Sequence, residues 1–312
     1  MINGILNIYK EKGYTSHDVV AVLRKVAGQK KIGHTGTLDP DATGVLPVCL
    51  GRATKLCDLL TDHDKTYEAV LLLGQVTDTQ DTSGTVLEEH ETTQLKEEQV
   101  KECILSFIGE YDQIPPMYSA LKVNGKKLYE LAREGKTVER KSRKVQIHNI
   151  TIKAIDLPRV TMEVECSKGT YIRTLCHDIG AKLGVGGCME QLVRSRVGKF
   201  AIADSVKLEE VKRQAEEGKL KDLIIPLDEM FSHLKAVVPA DKYCPMVYNG
   251  NDFSMKCLKE AVTCTPQEEV RVYDPRHNFI GIYKYEAERD GFHIVKMFYD
   301  PESVFGDVLQ ER

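Results

Sequence analysis

The chain has 312 residues, of which 42% are hydrophobic and 29% charged, a composition typical of a globular protein with a sizeable core. No apolar run approaches the roughly 20 residues that cross a bilayer, and the N-terminus lacks the basic and apolar regions of a signal peptide. We therefore expect a cytoplasmic protein that does not contact membranes. The nine cysteines include no C-x-x-C pair, which favours reduced thiols over a disulfide framework or a zinc site.

The net charge of −4 argues weakly against a nucleic-acid partner, but the charge is unevenly distributed. Residues 121–148 contain nine basic and three acidic side chains. Such a segment inside an acidic protein is a candidate contact for a polyanion. It is equally compatible with a solvated basic surface.

The spacing of apolar residues predicts both strands and helices along the chain. Strands are expected at residues 4–9, 65–73, 144–155, 159–166 and 189–200, with a further short strand from residue 86. Helices are expected at residues 17–27, 53–60, 96–108, 127–134, 171–183 and 204–217. Ser16 is the predicted N-cap of the first helix.

The last part of the chain is predicted to form a separate unit. Three short strands in a meander are expected at residues 270–273, 279–283 and 293–297. Pro226 and Pro239 bracket the domain boundary, and we place one domain at residues 1–235 and a small β domain at residues 236–312. Because strands form mostly sequential hairpins and helices are interspersed irregularly, we expect an α+β fold rather than a Rossmann fold.

One stretch, residues 33–50, is punctuated unlike the rest of the chain. It places three glycines, three threonines, two prolines and two aspartates before a short apolar run. This composition excludes a helix and predicts an ordered loop that leads into a buried strand. Asp39 precedes a proline, which restricts its backbone to extended geometry. Asp39 and Asp41 could carry chemistry, or they could be ordinary turn residues.

Three functional hypotheses follow from the residues alone. Asp39-x-Asp41-x-Thr43 matches the D-x-D-x-T pattern of haloacid-dehalogenase-like, Mg²⁺-dependent phosphatases, in which the first aspartate is phosphorylated. That pattern should directly follow a buried parallel strand and needs later acidic residues for Mg²⁺, and no convincing pair is found. A phosphate-binding P-loop is excluded because no Gly-Lys-Ser/Thr follows the glycines. An RNA-binding protein without enzymatic activity would explain the basic segment but not the ordered loop.

Several sequence blocks together resemble the signature of the TruB family, the tRNA pseudouridine-55 synthases. The matching blocks are Gly-His-Thr-Gly-Thr-Leu-Asp-Pro at 33–40, then 42–47, 51–55, 65–67, 74–79, 115–122, 128–135 and 166–175. They recur in family order over about the first 200 residues. The resemblance implies a pseudouridine-synthase fold, with a mixed, largely antiparallel central sheet flanked by helices and loops. It also implies a small C-terminal PUA-like RNA-binding domain.

The resemblance implies a catalytic role for three residues. Asp39 matches the family's aspartate nucleophile, which attacks either uracil C6 or ribose C1′. Arg173 matches its ion-pair partner, and a nearby arginine favours the charged form of a carboxylate. Tyr67 matches the residue that stacks on the flipped base, and it is the expected general base for the C5 proton. The isomerisation requires no cofactor and no metal.

Further residues are expected to bind the substrate. His34 matches a residue that fills the space left by the extruded base, and Tyr171 and Leu192 match positions that line the uracil pocket. Lys55 matches a family position whose role could be structural. Residues 123–143, here called the basic segment, correspond to a loop that closes over the T-arm stem-loop of tRNA. Its predicted phosphate contacts, the basic quartet, are Lys126, Lys127, Arg140 and Lys141. We expect a monomer without an obligate protein partner.

Overall fold

The computed structural model describes residues 1–123 and 125–299. Its strands are β1 (Gly4–Lys10), β2 (Ile32–His34), β3 (Thr43–Leu50), β4 (Lys65–Leu73), β5 (Gln75–Thr77), β6 (Val86–Glu89), β7 (Gly109–Gln113), β8 (Lys122–Val123), β9 (Lys126–Lys127), β10 (Arg143–Asp156), β11 (Arg159–Cys166), β12 (Gly187–Val197), β13 (Phe200–Ala201), β14 (Lys235–Val237), β15 (Phe253–Ser254), β16 (Glu269–Tyr273), β17 (Phe279–Glu286) and β18 (Gly291–Met297). Its helices are α1 (Ser16–Val26), α2 (Cys57–Thr61), α3 (Glu97–Leu105), α4 (Leu128–Arg133), α5 (Ile172–Leu183), α6 (Leu208–Glu216) and α7 (Cys244–Tyr248). None of these described helices combines the length and apolar character needed to span a membrane.

The main sheet is mixed and largely antiparallel, as predicted. Its strand order is β1-β3-β12-β4-β11-β10-β7, with β2 paired to β3 and β13 paired to β12. Among these described pairs, only β12 against β3 is parallel. Strand β12 therefore lies between β3, which follows the loop of Asp39, and β4, which carries Tyr67.

The alternating side chains of β1 and β3 bury both faces of this part of the sheet. Leu6, Ile8 and Leu46 pack on one side, against apolar residues of α1 and α6. Ile5 and Val45 point to the opposite side and join a second cluster. Each fully buried aliphatic side chain contributes about 1.5–3 kcal/mol to stability. Burial on both faces makes this region a rigid base for the loop between β2 and β3.

A second helical layer covers the other half of the main sheet. The apolar faces of α3 and α5 pack on β4, β10 and β11, through residues such as Ile104, Leu175 and Ile179. Helix α5 therefore starts beside the sheet, with Arg173 in its first turn.

The second sheet has the order β14-β16-β17-β18-β15 and its own buried core. It touches the main sheet through a set of apolar residues that we call the joint cluster. The joint cluster brings Phe231, Phe279 and Phe298 together with Ile5 and Val45 of the main sheet. The boundary between predicted domains 1–235 and 236–312 stays a prediction, and residues 124 and 300–312 lie outside the described part of the chain.

The structure differs locally from the prediction in two places. The N-cap of α1 is Thr15, which forms a reciprocal capping box with Asp18. Ser16 instead uses its hydroxyl to accept a hydrogen bond from the backbone N–H of Leu38. Strand β7 was not predicted, since Gly-Glu-Tyr-Asp-Gln lacks an apolar alternation, yet it pairs with β10 at the sheet edge.

Candidate active site

The loop that carries Asp39 is anchored on both sides of this residue. The backbone N–H of Leu38 donates to the Ser16 hydroxyl over 2.9 Å. The carbonyl oxygen of Pro40 accepts a hydrogen bond from Lys10 Nζ over 3.1 Å. Because both neighbours are held, the Asp39 backbone is fixed between β2 and β3.

Lys10 is fully buried beneath this loop. Its ammonium group donates to three backbone carbonyl oxygens, which satisfies its three N–H groups. Burial lowers the pKa of Lys10 from 10.5 to about 8, and the nearby carboxylates of Asp39 and Asp41 oppose this change. Lys10 thus supports the loop from below.

Arg173 forms an ion pair with Asp39 across 134 positions of sequence. Its Nη2 lies 2.6 Å from Asp39 Oδ2. The side chain of Arg173 is 8% exposed and that of Asp39 is 40% exposed. The guanidinium is therefore shielded from water, whereas the carboxylate faces an open cleft. The sequence had paired these two residues only through family resemblance.

Asp81 is a further partner of Arg173, and no sequence pattern predicted this role for Asp81. Its Oδ2 lies 3.4 Å from Arg173 Nη1, and its side chain is 15% exposed. The other oxygen of Asp81 accepts hydrogen bonds from the Thr79 hydroxyl and the backbone N–H of Ser83. Arg173 is thus held between two carboxylates. Asp81 lies in a turn rich in small polar residues, where an aspartate ordinarily has a local role.

Tyr67 and Arg194 lie side by side on neighbouring strands. Tyr67 of β4 is the cross-strand partner of Arg194 of β12, and both side chains are buried. Burial raises the pKa of Tyr67, and the guanidinium of Arg194 opposes this rise. On the other side of β12, Gly44 approaches so closely that a Cβ would lie 2.2 Å from the carbonyl oxygen of Arg194. Glycine is therefore required at this contact.

Tyr171 directly precedes α5 and is clamped through its backbone. The side chain of Gln113 accepts from Tyr171 N over 2.7 Å and donates to Tyr171 O over 3.0 Å. The guanidinium of Arg143 lies over the Tyr171 ring, 4.9 Å from its centroid. Gln113 is fully buried, and no sequence pattern indicated its role because it lies on the unpredicted strand β7.

Most of these side chains line one cleft of about 1540 Å³, whereas Lys10 and Gln113 lie outside its wall. Of the predicted site residues, the cleft wall contains Asp39, Tyr67, Tyr171, Arg173 and Leu192. The wall also carries eight cationic and four acidic side chains, so positive charge predominates. A positively charged cleft attracts polyanions.

His34 and Lys55 are not in the cleft wall. The Nδ1 atom of His34 accepts from the backbone N–H of Gly36, and its ring packs edge-to-face on that of His17. Burial lowers the pKa of His34. Lys55 Nζ donates to the carbonyl oxygen of Met297 on β18, so Lys55 connects the two sheets.

The basic quartet lies outside the cleft wall, on the basic segment beside it. Lys126 pairs with Glu134 at 3.3 Å, and Lys127 Nζ donates to the Tyr129 hydroxyl. Arg140 donates to the carbonyl oxygen of Pro115, and Lys141 is exposed. Three other cationic residues from this region of the chain do line the cleft, namely Arg133, Arg143 and Lys144.

The geometry gives no support to the phosphatase hypothesis. Asp39 lies between two antiparallel strands and not directly after a buried parallel strand. Asp41 is exposed and faces Lys12 at 3.7 Å. Among residues 1–123 and 125–299, no group of three or more His, Cys, Asp or Glu side chains could hold a metal ion.

Comparison with known proteins identifies close relatives. Residues 24–172 match the N-terminal domain of TruB family pseudouridylate synthases, and residues 173–232 match the tRNA pseudouridylate synthase B C-terminal domain. The chain is 49% identical over 310 residues to tRNA pseudouridine synthase B of Lachnoclostridium phytofermentans, covering 95% of this chain and 100% of the relative. It is 44% identical over 296 residues to the protein of the same name from Clostridium tetani, covering 95% and 99%. A solved Cbf5-Nop10-Gar1 complex contains a chain with a TM-score of 0.70 and 27% identity, covering 96% of this chain and 86% of that one.

Proposed function

This chain belongs to the TruB family of tRNA pseudouridine synthases, and we propose that it isomerises the T-loop uridine at tRNA position 55 in the cleft that holds Asp39. The observation that carries this proposal is the ion pair between Asp39 and the shielded Arg173, next to the buried Tyr67. The reaction breaks the bond between uracil N1 and ribose C1′ and forms a bond between C5 and C1′. It is an isomerisation, so it needs neither an oxidant nor an energy source.

Asp39 is the proposed nucleophile, and its surroundings suit that role. Attack on uracil C6 or on ribose C1′ requires an ionised carboxylate in either case. The guanidinium of Arg173 forms an ion pair with this carboxylate over 2.6 Å. The carboxylate is nonetheless exposed enough to meet a substrate, and its backbone is anchored through Leu38 and Pro40.

Tyr67, Tyr171 and Leu192 are proposed to receive the extruded base. Taking a nucleotide out of a folded loop costs a few kcal/mol in lost stacking. Stacking on an aromatic ring returns about 1–3 kcal/mol per base. The three side chains line the same cleft as Asp39, so a base among them would lie near the nucleophile. Tyr67 is also the proposed acceptor of the C5 proton.

The T-arm of tRNA is the proposed ligand of the cationic surface around the cleft. Recognition would depend mainly on the shape of the stem-loop and on phosphate contacts. The basic quartet would contribute phosphate contacts, and His34 would support the loop near the extruded base. Lys55 would act at the junction of the two sheets. We further propose that the protein acts as a cytoplasmic monomer without cofactor or metal, with residues 1–235 as catalytic domain and residues 236–312 as a PUA-like RNA-binding domain.

Tritium release from tRNA labelled at uracil C5 tests this proposal. Wild type should release tritium in proportion to the modified uridine, with and without EDTA, and Asp39→Asn should release none. Arg173→Lys is a second variant, because lysine keeps the positive charge but lacks the planar, forked set of N–H donors of the guanidinium. Full release by Asp39→Asn would refute the role of Asp39. An absence of release from wild type, with a T-arm substrate that binds, would refute the reaction itself.

A further inference from the structure

Arg194 is a buried cation without a carboxylate partner in the described residues. It is the largest fully buried side chain of that part of the chain, at 1% exposure. Its Nε donates to the carbonyl oxygen of Val45 over 2.7 Å, and its Nη2 donates to that of Gly36 over 3.4 Å. Both acceptors are neutral. Because an isolated buried charge is costly, we expect a further polar partner that offsets part of this cost.

Tyr67 is the group that Arg194 faces. The two residues are direct cross-strand partners on neighbouring strands, so their side chains lie on the same face of the sheet, and both are buried. A guanidinium has donors only, so in a hydrogen bond between the two side chains the phenolic oxygen of Tyr67 is the acceptor. The phenolic hydrogen of Tyr67 is then left free to point into the cleft, which both residues line.

Apart from Arg194, the surroundings of Tyr67 oppose a negative phenolic oxygen. Burial has the largest effect, and the Asp39 carboxylate acts in the same direction. Cys166 of β11 would do so only as a thiolate, and burial raises the pKa of its thiol to about 12. Lys65, on the same strand as Tyr67, lines the cleft but donates its ammonium hydrogens to the carbonyl oxygens of Thr61 and His63. Arg194 is therefore the group placed to stabilise negative charge on the Tyr67 oxygen.

We propose that Arg194 is a positioning residue for proton transfer, which fixes the Tyr67 oxygen as a hydrogen-bond acceptor and supplies its counter-charge while it acts as a base. This inference rests on the proposed function, in which Tyr67 accepts the C5 proton. The same guanidinium binds the carbonyl oxygens of Gly36 and Val45, on the two sides of the Asp39 loop. One side chain thus couples the position of the base to that of the nucleophile.

Tyr67 first loses its phenolic proton to water in the cleft, which leaves a phenolate beside the Arg194 guanidinium. After C5 has bonded to C1′, the phenolate oxygen takes the proton of C5, and the electron pair of the C5–H bond becomes the C5=C6 double bond. If Asp39 attacked C6, the electron pair of the bond between C6 and the carboxylate returns to Asp39 as it leaves. If Asp39 attacked C1′, the π pair of the C6=N1 bond moves to N1, which then takes a proton from water.

The test is a double-mutant cycle with single-turnover tritium release from C5-labelled tRNA, measured between pH 6 and 9. Arg194→Gln should lower the rate at pH 7 by roughly 10²-fold, within the range of general base catalysis, with little change in tRNA affinity. The difference between the rates of wild type and Arg194→Gln should become smaller as the pH rises, because without the guanidinium the phenolate forms only at higher pH. In the Tyr67→Phe background, Arg194→Gln should cause little further loss, since the two residues act as a unit.

An equal loss in both backgrounds, or a deficit that does not vary with pH, would overturn the inference. Arg194→Lys guards against a variant that fails to fold. Lysine keeps the charge but cannot reproduce both guanidinium contacts, from Nε to Val45 O and from Nη2 to Gly36 O, so stability should fall while the wild-type pH profile is kept. If the pH profile of Arg194→Lys were shifted in the same way as that of Arg194→Gln, the inference would also be overturned. If wild type itself released no tritium, the proposed function would fail instead.

Discussion

Replacing Asp81 by asparagine tests how the Arg173 guanidinium is held. This guanidinium lies between two carboxylates, 2.6 Å from Asp39 and 3.4 Å from Asp81. Asp81→Asn keeps the shape of the side chain but removes the charge from the more buried of the two. We expect Arg173 to keep its contact with Asp39 and to lose the second anchor that orients its planar group.

The structure sets the size of this effect. A hydrogen bond to a charged group contributes about 1.5–3 kcal/mol, and the lower end applies because the Asp81 contact is longer than the usual ~2.9 Å. A loss of about 1.5 kcal/mol corresponds to a fall in Tm of about 3–6 °C for a domain of this size. The chemical step should suffer more, since a displacement of ~1 Å near reacting groups can cost ~10²-fold in rate.

Single-turnover tritium release and thermal melting measure the two effects separately. Asp78→Asn is the matched control, because Asp78 lies in the same turn but is exposed and accepts a local hydrogen bond from Thr85 N. We expect the control to keep the wild-type rate. A wild-type rate for Asp81→Asn, or equal losses in the two variants, would show that Asp39 alone suffices to orient Arg173.

Two further predictions concern salt and pH. Neutralising the basic quartet should weaken tRNA binding. It should also lower the magnitude of the slope of log K against log[salt] by about 2–3, because each phosphate contact adds about 0.7–0.9 to that slope. The expected change is less than four full contacts would give, since Lys126 already pairs with Glu134. Burial lowers the pKa of Lys10 from 10.5 to about 8, so the unfolded chain binds more protons between these values. The unfolding free energy of wild type minus that of Lys10→Met should therefore rise from pH 8 to pH 10.

The readouts of these two predictions are filter binding of tRNA across a salt series and urea unfolding across a pH series. An unchanged salt slope in the quartet variant would show that these four cations do not meet phosphates. A free-energy difference for Lys10→Met that is flat above pH 8, or that falls, would contradict the low pKa of Lys10 in the folded protein.

The sequence predicted the elements whose local pattern matches their final environment. Strand β4 was predicted with its observed bounds, because its second half is a continuous run of aliphatic residues typical of a buried strand. The cap of α1 was misplaced by one residue because Thr15 and Ser16 are both good caps. Only the fold decides between them, since the Ser16 hydroxyl is engaged by Leu38 of the neighbouring loop.

The site was predictable only where a residue belongs to a distinctive block. Asp39 and Tyr67 lie in such blocks, and the cleft brings them together as the resemblance implied. Asp81 and Arg194 acquire their roles from partners far away in sequence, which no local pattern encodes. Arg194 in particular looks like a surface cation of a strand until β3 and β4 enclose it on both sides.

The joint cluster has a consequence for the motion of the second sheet. Because Phe231, Phe279 and Phe298 pack with Ile5 and Val45 of the main sheet, moving the second sheet away would expose these apolar side chains to water. The cluster therefore opposes independent motion of the two sheets. Under the proposed function, in which the second sheet also binds RNA, a stem-loop long enough to reach both surfaces would form its second contact at high effective concentration. A stem-loop that reaches only one surface would not gain this advantage.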